Sequence, residues 1–320
     1  MKPPRRRLKK SVKRTLWGIL CVIIVIMFVH HHNAQKTTTT RSTAAQASQT
    51  TPKKAPSAQK TTPTVKTTAT PTAAEKAAVR QQLTKKWQAI LDQQTTKRPV
   101  SIAVYSKKYN ETITLNSSKS SPHITASIIK VAMITQLLHQ HKANHAKLST
   151  AEISYAEGAI ENSNNTDATA LYHAIGRYGG LNSLFTSLNM TSSQAGSSGW
   201  ASATTTATDQ VKLLNQIFYN GTYLSTKSQT YVQGLMRHVE SDQNWGISAG
   251  SKAYQLKNGW RLTGNNTWVV NSIGHLGSGT NSCTIAILTN NNTTLKRGIS
   301  YVEQFAKATG DTLDLTGTHA

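Results

Sequence analysis

Two residues one helical turn apart offer this chain a nucleophile with its own base. In Ser127-Ile128-Ile129-Lys130 the serine and the lysine stand at positions i and i+3, which share a face if the segment is helical. A serine at a helix start has its hydroxyl near the positive end of the helix, where a developing anion is stabilised. A lysine whose pKa is lowered by desolvation can take the hydroxyl proton. The chemistry would be attack on a carbonyl carbon. The pattern is not specific by itself. Ser57-Ala-Gln-Lys60 repeats it inside a polar, low-complexity stretch, and an ordinary helix cap is the bland alternative for Ser127. Two further polar triplets stand later in the chain, Ser163-Asn164-Asn165 and Lys257-Asn258-Gly259.

In this order the three pieces resemble the active-site triplet S-x-x-K, S-D-N and K-T-G of the penicillin-recognising serine enzymes. Residues Ala159-Ile160-Glu161-Asn162-Ser163-Asn164-Asn165-Thr166 are similar to the stretch around S-D-N in class A β-lactamases. Ala174-Ile175-Gly176 and Gly179-Gly180 are similar to the next segment of those enzymes. The resemblance covers roughly residues 76–307. It implies that Ser127 attacks, that Lys130 takes its proton and that Ser163 passes a proton to the leaving nitrogen. It also implies that Asn165, Lys257, Asn258 and Gly259 bind substrate, and that the backbone N–H groups of Ser127 and Trp260 form the oxyanion hole. The substrate would be a small-molecule β-lactam or a peptidoglycan-type amide. No metal and no cofactor are expected.

The departures from the family pattern matter as much. The interval from Ser127 to Ser163 is short. Ser187-Leu188-Asn189 is a rival at a longer interval, but it comes after the double glycine and lacks the right neighbours. Asn164 replaces the aspartate of S-D-N, and Asn258 replaces the hydroxyl residue of K-T-G, which weakens the carboxylate site. Class A enzymes activate the deacylating water with a glutamate in a loop after S-D-N. Here no Asp or Glu occurs from Ala168 to Thr208, and that loop carries Ser, Gly, Thr and Trp200 instead. Glu161 and Asp167 lie nearby, at positions that are not the base in the family. The expected outcome is an acyl-enzyme that forms and then persists. The alternative is a catalytically weak, wall-associated binding or sensing domain on the same fold.

The elements that must position these residues can be read from periodicity. Val79, Leu83, Trp87, Ile90 and Leu91 recur at helical spacing, and Val100, Ile102 and Val104 alternate as a half-buried strand that can pair with Thr112 to Leu115 across a turn near Asn110. Residues 126–139 are apolar and helical. Ser149-Thr-Ala-Glu152 reads as a capping box, opening a long helical region to Gly176, after which Gly179-Gly180 reads as a break. The run 181–208 is polar after Met190, and Asp209 to Phe218 is helical again. Leu256, Trp268 to Ile273 and Cys283 to Thr289 read as strands. Leu295, Ile299, Val302 and Phe305 mark a last helix. The fold class expected is α/β of the α+β sandwich type, a β-lactamase-like fold. An antiparallel sheet is flanked by helices from both chain ends, with a helical subregion inserted. Trp245 and Trp260 either line the cleft or pack in the core.

Outside this domain, residues 75–320, the chain reads differently. It has 36 Lys and Arg against 13 Asp and Glu, a formal charge of +23, and 14 of the basic residues precede Glu75, the first acid. Residues 1–32 combine a basic start with the apolar run Leu16 to Val29, about 21 Å long as a helix, which suits a signal-anchor or a cleaved signal peptide. Either reading exports the remainder of the chain, because the basic end stays inside. The domain is then membrane-anchored and extracytoplasmic, or secreted. Residues 33–74 are rich in Thr, Ala, Lys and Pro and should be a disordered spacer. An anionic cell-wall polymer or a membrane surface fits the charge. Nucleic acid does not, since zinc-finger spacing, an RNA signature and a basic helix are all missing. A monomer is expected. His30-His31-His32 ends the apolar run and is not read as a metal site. His139, His141 and His145 lack ligand spacing. Cys21 and Cys283 have no disulfide partners.

Overall fold

The computed structural model describes residues 70–96, 98–117, 122–219 and 221–315. The apolar run, the histidine triplet, the Ser57–Lys60 repeat of the motif and nearly all of the expected spacer lie outside them. Five antiparallel strands form the main sheet: β1 (Val100–Ser106), β2 (Glu111–Asn116), β5 (Tyr254–Leu262), β6 (Trp268–Ser278) and β7 (Asn281–Asn292), in the spatial order β2-β1-β7-β6-β5. A two-stranded ribbon pairs β3 (His123–Ile124) with β4 (Thr204–Thr205).

Strand alternation sends successive side chains to opposite faces, and this sheet is covered on both, so β1, expected to be half-buried, is buried on its two faces. Ile285 and Ile287 of β7 pack on one side with Ile102, Val104 and Val270. Ala286 and Leu288 pack on the other with Ala103 and Ile273. The first side is covered by the two terminal helices, α1 (Ala73–Asp92) and α8 (Leu295–Thr312). Val79, Leu83 and Trp87 meet Tyr301, Val302 and Phe305 there. Trp87 is fully buried and its Nε1 donates to Thr309 Oγ1 at 3.1 Å. Truncating a buried tryptophan to alanine costs about 3–5 kcal/mol, so this contact alone is a sizeable share of a domain's net stability. α1 starts at Ala73, capped reciprocally by Thr72 and Glu75, two residues before the expected domain boundary.

The other side carries the helical subregion: α2 (Ile129–Ala143), α3 (Thr150–Ile160), α4 (Asn165–Ala174), α5 (Arg177–Ser187), α6 (Ala207–Phe218) and α7 (Thr226–Arg237). α3 opens with the capping box of Ser149 and Glu152. The structure also corrects the reading of the double glycine and adds a helix. Gly179 and Gly180 do not interrupt a helix but lie within α5. The break falls at Gly176, whose φ of 85° is left-handed. Gly180 is instead required by close approach, because a Cβ there would stand 1.9 Å from the Ile175 carbonyl oxygen. Helix α7 has no counterpart in the sequence reading. Its polar composition hid a narrow buried stripe of Val232, Leu235 and Met236. Cys283 is a buried free thiol. No helix among the described residues is long and apolar enough to cross a membrane.

Candidate active site

Ser127 sits in a one-turn 3₁₀ helix, Ala126–Ile128, that runs directly into α2. Its segment is pinned from three directions. The Thr125 N–H donates to the Ala203 carbonyl at 2.9 Å, an extension of the β3–β4 ribbon. The amide of Asn271, fully buried on β6, donates to the carbonyls of Ile124 at 2.8 Å and Thr125 at 3.1 Å. On β5, Gly259 lies flat against it: a Cβ there would stand 2.8 Å from the Thr125 oxygen and 2.9 Å from the Ser127 nitrogen. Only glycine fits such an approach. Ala126, just before the nucleophile candidate, has φ 47°, and Ser163 has φ 54°. Left-handed conformations at non-glycine residues persist only where the surroundings enforce them.

Lys130 comes one turn into the helix and is fully buried. Its Nζ donates to the Ser163 carbonyl at 2.7 Å, to Ser163 Oγ at 3.2 Å and to Asn165 Oδ1 at 2.9 Å. These three acceptors match the three protons of an ammonium, and none of them is Ser127 Oγ. Burial pulls Lys130 down from 10.5 to about 7, opposed by the carboxylate of Asp167. Lys257 comes in from the sheet. It is also fully buried, and its Nζ donates to Ser163 Oγ at 2.9 Å and to the Asn258 carbonyl at 3.1 Å. Burial, then the neighbouring charge of Lys130, holds it well below the usual lysine range. Ser163 Oγ is thus shared between two lysines that arrive from opposite sides of the cleft.

The chain turns at Ser163 because Asn164 caps α4. Its Oδ1 accepts from the N–H groups of Thr166 at 2.7 Å and Asp167 at 3.2 Å. An aspartate would fill the same capping place, so this departure from the family pattern keeps the local geometry. Asn258 is different. It is 1% exposed, and its amide donates to the carbonyls of Gln243 at 2.7 Å and Trp245 at 2.9 Å. The side chain named from the motif as substrate-binding therefore holds the 241–250 segment in place. Trp260 is half-buried, with its ring edge-on to Trp245 at 5.7 Å.

Direct hydrogen bonds therefore bring together Lys130, Ser163, Asn165 and Lys257, and backbone contact brings Ser127 and Gly259 together. The rival Ser187 ends α5 and is not among the partners of either lysine. Two participants escape sequence reasoning. Asn271 carries no motif. Trp200 reads in the sequence only as part of the loop, yet its ring lies across Lys130 Nζ at 5.0 Å. That loop holds no carboxylate, and the one that anchors it, Asp209, is 2% exposed. Asp209 accepts from the Ser192 N–H and from Ser193 Oγ, both at 2.9 Å, and from Lys212 Nζ at 2.9 Å. Among the described residues, no group of three or more His, Cys, Asp or Glu side chains could hold a metal ion.

A model of the family described as the beta-lactamase enzyme family matches residues 154–313. The chain is similar in structure to a class A beta-lactamase from Bacteroides cellulosilyticus DSM 14838, with 15% identity, a TM-score of 0.64 and coverage of 74% of this chain and 98% of that one. It is similar to a beta-lactamase from Streptosporangium roseum, with 17% identity, a TM-score of 0.57 and coverage of 74% and 99%. It also resembles a variant of PBP-A in an acyl-enzyme complex with penicillin G, with 16% identity, a TM-score of 0.60 and coverage of 74% and 97%. No curated protein matches. At these identities the structural likeness speaks for the fold.

Proposed function

The chain belongs to the beta-lactamase enzyme family, and from that premise we propose that it is a serine hydrolase that acylates Ser127 with a β-lactam or a peptidoglycan-type amide and deacylates slowly. The observation that carries this reading is the shared hydroxyl: Ser163 Oγ lies 3.2 Å from Lys130 Nζ and 2.9 Å from Lys257 Nζ. Such a chain can move a proton between a base and a leaving group. Ser127 Oγ bonds to the carbonyl carbon as the C–N bond breaks. The serine proton goes to Lys130, and the Ser163 hydroxyl gives its proton to the departing nitrogen and is replenished from the lysine it touches. The Ser127 and Trp260 N–H groups would receive the oxyanion. The basic, apolar start of the chain supports an extracytoplasmic position for this chemistry.

Intact-protein mass spectrometry after exposure to penicillin G tests the reading. In a β-lactam the leaving nitrogen stays tethered, so the protein should gain the mass of one whole penicillin, and Ser127→Ala should gain none. The rate of gain should rise as the pH passes about 7, because Lys130 accepts a proton only in its neutral form. The second reading, a binding or sensing domain, is favoured by the three Lys130 donors that all go to Ser163 and Asn165. A wild-type protein that gains no mass would select it.

A further inference from the structure

Trp200 reaches the buried lysine from outside the three motifs, with its ring centre 5.0 Å from Lys130 Nζ. It opens a short 3₁₀ turn, Trp200–Ser202, in the loop between α5 and β4. Its placement is specified on both sides. The indole Nε1 donates to Thr169 Oγ1 at 3.1 Å. Thr169 Oγ1 in turn donates to the Asn165 carbonyl at 2.9 Å, and Asn165 Oδ1 accepts from Lys130 at 2.9 Å. Behind the ring, the loop is tied down by the reciprocal backbone bonds of Gln194 and Thr204, each 2.9 Å, and by Arg261 Nη1, which donates to the Ala201 carbonyl at 3.4 Å. The tryptophan, the helix α4 and the lysine thus form one closed circuit of contacts, with the ring face 5.0 Å from Nζ.

We infer that Trp200 is a positioning residue: its ring is the dry cover that keeps the Lys130 amine out of water and so makes it fit to act as a base. The inference rests on reading Lys130 as the acylation base. Two effects of the ring oppose each other. The aromatic face attracts a cation and so favours the protonated lysine. Exclusion of water disfavours it. Burial of the whole site is the largest influence on Lys130 and takes it from 10.5 to about 7, with the Asp167 carboxylate pulling the other way. The ring stands over Nζ as part of that burial, and on this inference its exclusion of water outweighs its attraction for the cation. Without the ring, water should reach Nζ and return the lysine toward its ordinary range. Its neutral fraction at pH 7 falls about tenfold for each unit of that rise.

The test reads Lys130 directly. Lysine side-chain NMR of the full chain, with the Lys130 signal assigned by its loss in Lys130→Ala and distinguished from Lys257 by Lys257→Ala, gives the titration midpoint without any substrate. Trp200→Ala should raise the midpoint by about one pH unit or more. Trp200→Phe, which keeps an aromatic cover, should leave it near the wild-type value. Thr169→Val, an exposed change that removes the indole's acceptor, should move it the same way by less. In the adduct assay the pH at which acylation rises should move with the midpoint, whereas simple loop damage would lower the rate without moving that pH. Midpoints unchanged in both Trp200→Ala and Thr169→Val would overturn the inference. Because the titration needs no substrate, a wild type that forms no penicillin adduct counts against the proposed function alone.

Discussion

Lys257→Met should lower the rate of penicillin acylation by about a hundredfold or more, and the variant should melt no lower than the wild type. Lys257 is fully buried, and among the described residues it has no carboxylate as an ion-pair partner and donates to Ser163 Oγ and the Asn258 carbonyl alone. Removing the amine takes one of the two nitrogens from the shared serine. Proton transfer by a positioned side chain typically contributes about 10²–10⁴-fold. A desolvated amine is costly to the fold, and methionine fills a similar volume without that cost. A site that opposes stability in this way is common where function needs a strained or desolvated group. Rates from the mass-gain assay and melting by circular dichroism check both halves. A variant that loses stability and keeps its acylation rate would remove Lys257 from the mechanism.

The second large effect concerns water. Stopped-flow mixing with a chromogenic cephalosporin should give a burst of about one equivalent and then a nearly flat line. Acylation needs the Ser127, Lys130 and Ser163 groups, which this cleft contains. Hydrolysis of the acyl-enzyme needs a base positioned on water, and its absence is worth on the order of 10²–10⁴ in rate, or about 3–5 kcal/mol of barrier. The covering loop presents Trp200 to Lys130, and the carboxylate that ties the loop down, Asp209, already accepts from Ser192, Ser193 and Lys212. Sustained turnover of many per second, abolished by Ser127→Ala and by Asp167→Asn, would show that Asp167 supplies the base.

Much of the sheet and the helix that carries Ser127 were legible because their signals are local. The alternation of Val100, Ile102 and Val104 corresponds to one buried face of β1, and the Ser149–Glu152 box does cap α3. What the chain concealed depends on partners far away in sequence. Gly180 looks like a helix breaker until the Ile175 carbonyl is seen against it. Asn258 looks like a substrate ligand until the 241–250 segment takes its amide hydrogens. Asn271 has no motif at all, yet it ties β6 to the turn before Ser127 across about 146 positions of sequence. Trp200 acquires a role only because Thr169 and Lys130 stand beneath it. Motif order located the lysines and the serines, and long-range packing decided what surrounds them.

The central claim is that Ser127 carries the acyl group, and locating that group tests it most directly. After brief exposure to penicillin G, trypsin should release the segment from Ser120 to Lys130 with the mass of one penicillin added, and fragmentation should place that mass on Ser127. A mass on Ser163, on another residue of the cleft, or on no residue at all would contradict the account.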